Sequence, residues 1–259
     1  MIHPSAVVHP AARIAEGVEI GPFAVIGEHV SIGKGTVIGP HAVVEGWTEI
    51  GEENRIFQLA SVGAIPQDLK YRGEPTRLKI GDRNTIREFA TLHLGTVTGR
   101  NETTVGSGNL FMAYSHVAHD CVIGDNVVMA NSATLAGHVT IEDNVILGGL
   151  CAVHQFTRVG AHAMVGGGTL VSNDIPPYMI ATGEGRETRL RGLNLIGLKR
   201  RGFSDETIAD LKKAYKILVL SKLRLPEALE RIRTELPASP ELNRLVAFIE
   251  SSERGICRR

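Results

Sequence analysis

The stretch IGPFAVIGEHVSIGKGTVIGPHAVVEG, residues 20–46, places Ile20, Ile26, Ile32, Ile38 and Val44 six positions apart. The same spacing runs back through Ile14, Val8 and Ile2 and forward through Ile50, Ile56 and Val62. It breaks, returns as Ile80, Ile86 and Leu92, breaks again, and resumes at Val105 to continue through Val171. Glycine often follows the aliphatic residue, as at Gly21, Gly27 and Gly33, and a small or β-branched residue lies two positions before it, as at Ala24, Thr36 and Ala133. A period of six is neither the 3.6 of a helix nor the 2 of a plain strand; it describes short strands separated by tight corners. Such a unit buries its aliphatic residue only against the units stacked on it, so the fold is a mainly β, parallel solenoid of hexapeptide repeats. The two breaks are expected to be loops that leave the wall.

After about Asp174 the pattern stops at IPPYMIATGEG and the composition changes. SDETIADLKKAYKILVL has Ser204 as an N-cap and Ile208, Leu211, Tyr215 and Leu218 at helical spacing. SPELNRLVAFIESSERG has Ser239 before Pro240, then Leu242, Leu245, Val246 and Ile249 on one face, with Gly255 at its end. The reading is a β-helix over residues 1–185 followed by a small α-helical domain over 186–259.

Composition narrows the function. Lys plus Arg and Asp plus Glu are 28 each, which points neither to nucleic acid nor to an acidic tail. Cys121, Cys151 and Cys257 are far apart with no CxxC pair, as in a reducing compartment without a disulfide framework. Cys121 and Cys151 fall at the inward position of their hexads and are expected to be core atoms. The N-terminus lacks a signal-like run and no apolar stretch reaches spanning length, so a cytoplasmic protein without a transmembrane segment is expected.

With eighteen residues to a three-sided coil, His119, Gly137 and Gln155 share one column, and Asp120 and His138 share the next. His116, His119, His138 and His154 therefore cluster on a wall that needs no histidine for stability. Histidine is the side chain suited to moving protons near neutral pH, and Asp120 could hold the His119 ring in one tautomer. Adjacent residues on a strand point apart, so that contact requires a corner. A zinc site like that of the hexapeptide-repeat carbonic anhydrases would need two histidines five apart, a spacing absent from this cluster, and no metal is expected. The first break, AIPQDLKYRGEPTR, carries Lys70 and Arg72, and the run LKRRGFS carries Lys199, Arg200 and Arg201; with Arg186, Arg189 and Arg191 these cations fit either a phosphorylated ligand or an acidic partner, or simple solvation.

The motifs QDLKYRGEPTR, IREFATLHLGT, SHVAHDCVIGD, ATLAGHVTIEDNVILGGLCAVHQF, VGAHAMVGG, DIPPYMIATG and GLNLIGLKRRGFS follow one another in the order and spacing of the acyl-carrier-protein:UDP-N-acetylglucosamine O-acyltransferases of lipid A biosynthesis, which the whole chain resembles. The resemblance implies a left-handed coil, although the general crossover rule would give the opposite hand, and a homotrimer with its active sites in the clefts between neighbours. It implies that His119 is the general base, that Asp120 orients it and that the Gly137 N–H stabilises the oxyanion. It implies substrate contacts at Asp68, Lys70, His116, His138, His154, Gln155, Asn194, Arg200 and Arg201. The partners it implies are UDP-N-acetylglucosamine and acyl carrier protein, whose phosphopantetheine carries the 3-hydroxyacyl donor, with no separate cofactor. Gly167 matches the position that sets acyl length; lacking a side chain, it would admit a chain on the order of fourteen carbons. The chain departs from the family pattern at Leu94, where Arg is common, and at Ile196, where Glu is common. These departures keep a second reading open, an N-acyltransferase acting on a 3-amino sugar. A non-catalytic binding scaffold is the reading from another class.

Overall fold

The computed structural model describes residues 1–184 and 187–258. Short strands, mostly of two residues, recur every six positions, and each pairs in parallel with the strand three further on. Three sheets of nine, eight and ten strands result, forming the sides of a left-handed triangular β-helix. The register is eighteen residues, as Val25 pairing with Val43 and Val43 with Ser61 show. Backbone polar groups are thus satisfied by the coils above and below. The hexad aliphatics, Ile20 through Val171, fill one continuous core, with Cys121 and Cys151 buried among them. Burial pushes their thiols up to about 12 and about 11, so neither is a thiolate near neutral pH.

Each coil turns through residues in the left-handed region, among them Phe23, His41 and Leu59 at one corner and Asp120, His138 and Phe156 at another. That conformation is costly for a side chain bearing a Cβ. Hydrogen bonds from coil to coil hold it, as where the His138 N–H donates to the His119 carbonyl at 3.0 Å.

The breaks are loops. Val62 pairs with Leu92, thirty positions on where an unbroken coil takes eighteen, so twelve extra residues leave the wall between Ser61–Ala64 and Arg77–Ile80. Leu92 pairs with Val117, twenty-five on, which leaves seven extra residues before Glu102–Val105.

Beyond residue 174 the strand Met179–Glu184 extends one side of the prism, and Glu187–Leu193 pairs with it antiparallel. Helices α1 (Leu195–Arg200), α2 (Asp205–Tyr215), α3 (Leu225–Glu235) and α4 (Pro240–Glu250) follow, with a wider π-helical turn at Lys216–Leu220. Ser204 and Ser239 accept from the Thr207 and Leu242 N–H groups as helix caps. The sequence pattern predicts α2 and α4 only: α1 is too short to show a period, and α3 buries just Ala228, Leu229 and Ile232. Gly255 lies beyond the end of α4, at φ 74°. Helix α4 docks on the coil where the Arg158 guanidinium lies 4.2 Å over the Phe248 ring and Arg244 reaches Glu142 at 2.9 Å. Among the described residues no helix is long and apolar enough to cross a membrane.

Candidate active site

The corner at Asp120 brings two neighbouring side chains together. With φ at 60°, Asp120 turns its carboxylate back beside the preceding ring, and His119 Nδ1 lies 2.8 Å from Asp120 Oδ2. Asp120 is 1% exposed. Its oxygens accept hydrogen bonds from the Thr96 hydroxyl at 2.6 Å, the Thr96 N–H at 3.0 Å and the Arg100 N–H at 2.8 Å, while its own N–H donates to Thr103 Oγ1. Burial is the largest single influence and opposes the charge. The hydrogen bonds from His119, the Thr96 hydroxyl and the two backbone N–H groups outweigh it together and hold the carboxyl down to about 2. An ionised carboxylate only accepts, so the His119 Nδ1 carries the proton and Nε2 is the nitrogen left to exchange one with a ligand. That is the wiring of a general base with an orienting acid.

Gly137 lies one coil on, against this ring. A Cβ there would fall 2.6 Å from His119 Nε2, so only glycine lets the backbone come this close. Its N–H donates to no acceptor among the described residues. His138 meets His119 edge to face at 5.0 Å and stacks on Phe156 at 4.5 Å, with its Nε2 3.9 Å from Asp120 Oδ2. Burial holds its ring below the ordinary histidine range, against the pull of Asp120 and Asp68. On the adjoining side His116 Nδ1 contacts Thr91 Oγ1 at 2.6 Å and its ring meets His93 edge to face. Burial lowers His116, and lowers His93 to about 4, so both are neutral near pH 7.

His119 stands on a ridge between two depressions. One, of about 680 Å³, runs over the wall past His116, Gly137, His154 and Leu170. The other, of about 760 Å³, lies under the first loop, between Asp68, Lys70 and His138, with Thr98 and Gly99 from the second loop. His119, Gln67 and Gln155 border both. Each space is of ligand size, and an imidazole shared by two such spaces is placed to work on two molecules held side by side.

Comparison with known proteins bears on what those molecules are. Residues 174–257 match the family model described as UDP N-acetylglucosamine O-acyltransferase, domain 2, and residues 102–137 match the bacterial transferase hexapeptide model. The chain is 65% identical to the acyl-[acyl-carrier-protein]–UDP-N-acetylglucosamine O-acyltransferase of Trichlorobacter lovleyi and 58% to that of Myxococcus xanthus, over 99% of each chain. This chain belongs to that acyltransferase family. Among solved structures it resembles the UDP-N-acetylglucosamine acyltransferases of Bacteroides fragilis (46% identity, TM-score 0.96, 100% of both chains) and Francisella novicida (43%, TM-score 0.96, 100% of this chain and 94% of that one).

Within one chain the residues singled out from sequence divide into two groups. His119, Asp120, Gly137, Asp68, Lys70, His116, His138, His154 and Gln155 gather around the ridge. Asn194, Arg200, Arg201 and Gly167 do not line either space. Asn194 is buried as the cap of α1: it accepts from the Gly197 N–H at 3.1 Å and donates to the His162 carbonyl at 3.0 Å. Arg200 and Arg201 are exposed at the end of that helix. Gly167 is exposed beside Gly168, a left-handed residue at another corner. Arg186 lies outside the described residues.

One expectation changes. Leu94 is 1% exposed, its methyls close to where a Cβ on Gly46 would stand, so this departure sits in the core and touches no ligand space. Ile196, by contrast, is 67% exposed in the first turn of α1. His119, Asp120 and His138 are close enough to share an ion, but the Asp120 oxygens already accept four hydrogen bonds, which suits an orienting acid better than a metal ligand. Thr96, Arg100, Gln67 and Phe156 went unpredicted. Gln67, Thr96 and Phe156 lie in the motifs QDLKYRGEPTR, IREFATLHLGT and ATLAGHVTIEDNVILGGLCAVHQF without being singled out there, while Arg100 falls in a loop outside both the motifs and the hexad register.

Proposed function

We propose that this chain transfers a 3-hydroxyacyl group from acyl carrier protein to the 3-hydroxyl of UDP-N-acetylglucosamine, the first step of lipid A biosynthesis, in the cytoplasm. The observation that carries the reading is the imidazole of His119, fixed by an ionised Asp120 on the ridge between two ligand-sized spaces. The Nε2 of His119 takes the proton of the sugar hydroxyl as its oxygen attacks the thioester carbonyl. The Gly137 N–H donates to the oxyanion that forms. Collapse of the tetrahedral intermediate breaks the C–S bond, and the departing phosphopantetheine sulfur takes the proton back from the imidazolium, which Asp120 has stabilised meanwhile. With both substrates bound together, no covalent enzyme intermediate and no separate cofactor are needed.

A homotrimer fits the residues that stand apart from the ridge. Arg200 and Arg201, exposed at the end of α1, and Gly167, exposed at another corner of the prism, would reach a neighbour's cleft, with Asn194 fixing α1 as its buried cap. One corner presents exposed apolar residues in several coils, Phe23, Leu59, Phe89, Tyr114 and Leu150, with His41 and Ser132 between them, as a surface between copies does.

The test is a mass-resolved product assay, with UDP-N-acetylglucosamine and its 3-amino analogue in competition against a length series of 3-hydroxyacyl carrier proteins. An ester is expected, from a donor on the order of fourteen carbons given the bare Gly167. An amide would move the acceptor, a ten-carbon preference would remove Gly167 from length selection, and no turnover with any donor would leave a binding scaffold. The burial of Leu94 weakens the motive for the amide reading and leaves Ile196 as its remaining support.

A further inference from the structure

We infer that the second interruption of the coil, residues 95–101, is a carboxylate cradle, and that Thr96 is a positioning residue of the transfer reaction that acts through Asp120. The inference rests on the reading of His119 as the base.

The loop adds seven residues to a coil that closes without them elsewhere, and most of its polar reach is spent on one side chain. The Thr96 hydroxyl donates to Oδ2, the same oxygen that holds His119, and the Thr96 and Arg100 N–H groups donate to Oδ1. The loop is closed over this carboxylate by its own bonds, from the Gly99 and Asn101 N–H groups to the Thr96 carbonyl at 3.1 and 3.0 Å. Gly99 lies directly on the acid: a Cβ there would stand 2.6 Å from Oδ1 and as close to Oδ2. Its backbone is not in the left-handed region, so the contact with Asp120, and not strain, is what demands glycine. His138 and Phe156 occupy the same corner of the next two coils, and those coils close in eighteen residues with no insertion of their own. The extra chain therefore appears where the buried acid does. Burial works against the charge of Asp120, and Thr96 supplies two of the donors that reverse the balance. Without its hydroxyl, Oδ2 is left to His119 alone, and both the charge and the direction of the acid are less firmly held.

The experiment is steady-state kinetics of the full chain with acyl carrier protein donor and UDP-N-acetylglucosamine. Thr96→Val, close in shape, is expected to lower kcat about ten- to hundredfold while both KM values stay within about twofold. Thr96→Ser should restore most of the rate. Gly99→Ala, which leaves every donor in place but pushes on the carboxylate, should give a similar kcat loss. In an Asp120→Asn background Thr96→Val should cost nothing further, because the group through which it acts is already changed. Full turnover by Thr96→Val, or an equal additional loss in the Asp120→Asn background, would overturn the inference. If His119→Ala itself kept normal turnover, it is the base assignment that would fall, and the two failures are told apart by which variant stays active.

Discussion

Two corners of the prism use carboxylates in opposite ways. At one, Asp82, Asp125 and Asp143 each precede a left-handed residue, and each accepts one backbone N–H from the coil before it: Glu52 at 2.8 Å, Ser107 at 2.7 Å and Asp125 at 2.9 Å. These acids are exposed or half-buried, and they lie against the bare glycines Gly51, Gly106 and Gly124. At the other corner Asp120 is itself the left-handed residue, is buried, and collects three donors from a loop and one from an imidazole. The first set staples coil to coil; the second holds a charge in the dark and turns it on a ring. A solenoid thus supplies polar corners as a matter of architecture, and the proposed chemistry belongs to the one that a loop covers and a histidine adjoins.

Substitutions in matched pairs probe this contrast. Asp120→Asn is expected to lower kcat by about 10²- to 10⁴-fold, since the amide no longer fixes the tautomer or supports the imidazolium; Asp125→Asn should leave it within about twofold. Equal losses in the two would break the comparison. Gly137→Ala drives a methyl group into the His119 ring and displaces the N–H beside it, for a loss of about 10²- to 10³-fold. Gly124→Ala, which collides with Asp143, should show its effect in thermal unfolding and not in kcat. Acid titration sharpens the same point. Asp120 is held down to about 2, against about 3.9 for an ordinary aspartate. A depressed carboxyl adds stability that is present above the ordinary value and lost as pH falls toward the folded one. Wild-type protein should therefore lose stability more steeply than Asp120→Asn between about pH 4 and pH 2, as followed by denaturant midpoints. The smallest effect is that of Asp125→Ala on unfolding free energy, about 1 kcal/mol or less for one partly exposed hydrogen bond.

Much of this was legible because the hexad spacing is a direct record of which side chains point inward. Ile26, Val62 and Leu135 are buried as their positions require, and the two slips in register mark where loops leave the wall. Stacking by eighteens also put His119 beside Gly137 and Asp120 beside His138. What the pattern could not carry lies outside it. The loop residues Thr96 and Gly99 have no place in the hexad, so their closure over Asp120 depends on tertiary contacts. The left-handed turn at Asp120 is unfavourable in isolation, and coil-to-coil bonds impose it. Leu94 stands out in the sequence only as a departure from the family pattern, where Arg is common, and its side chain turns into the core.

The central claim is that the imidazole at 119 takes the proton from the acceptor hydroxyl. Its most direct test is kcat of His119→Ala with both substrates saturating and the ester followed by mass. A fall of about 10²- to 10⁴-fold, the usual worth of a general base, with KM values little changed, is what the geometry predicts; near-normal turnover would contradict it.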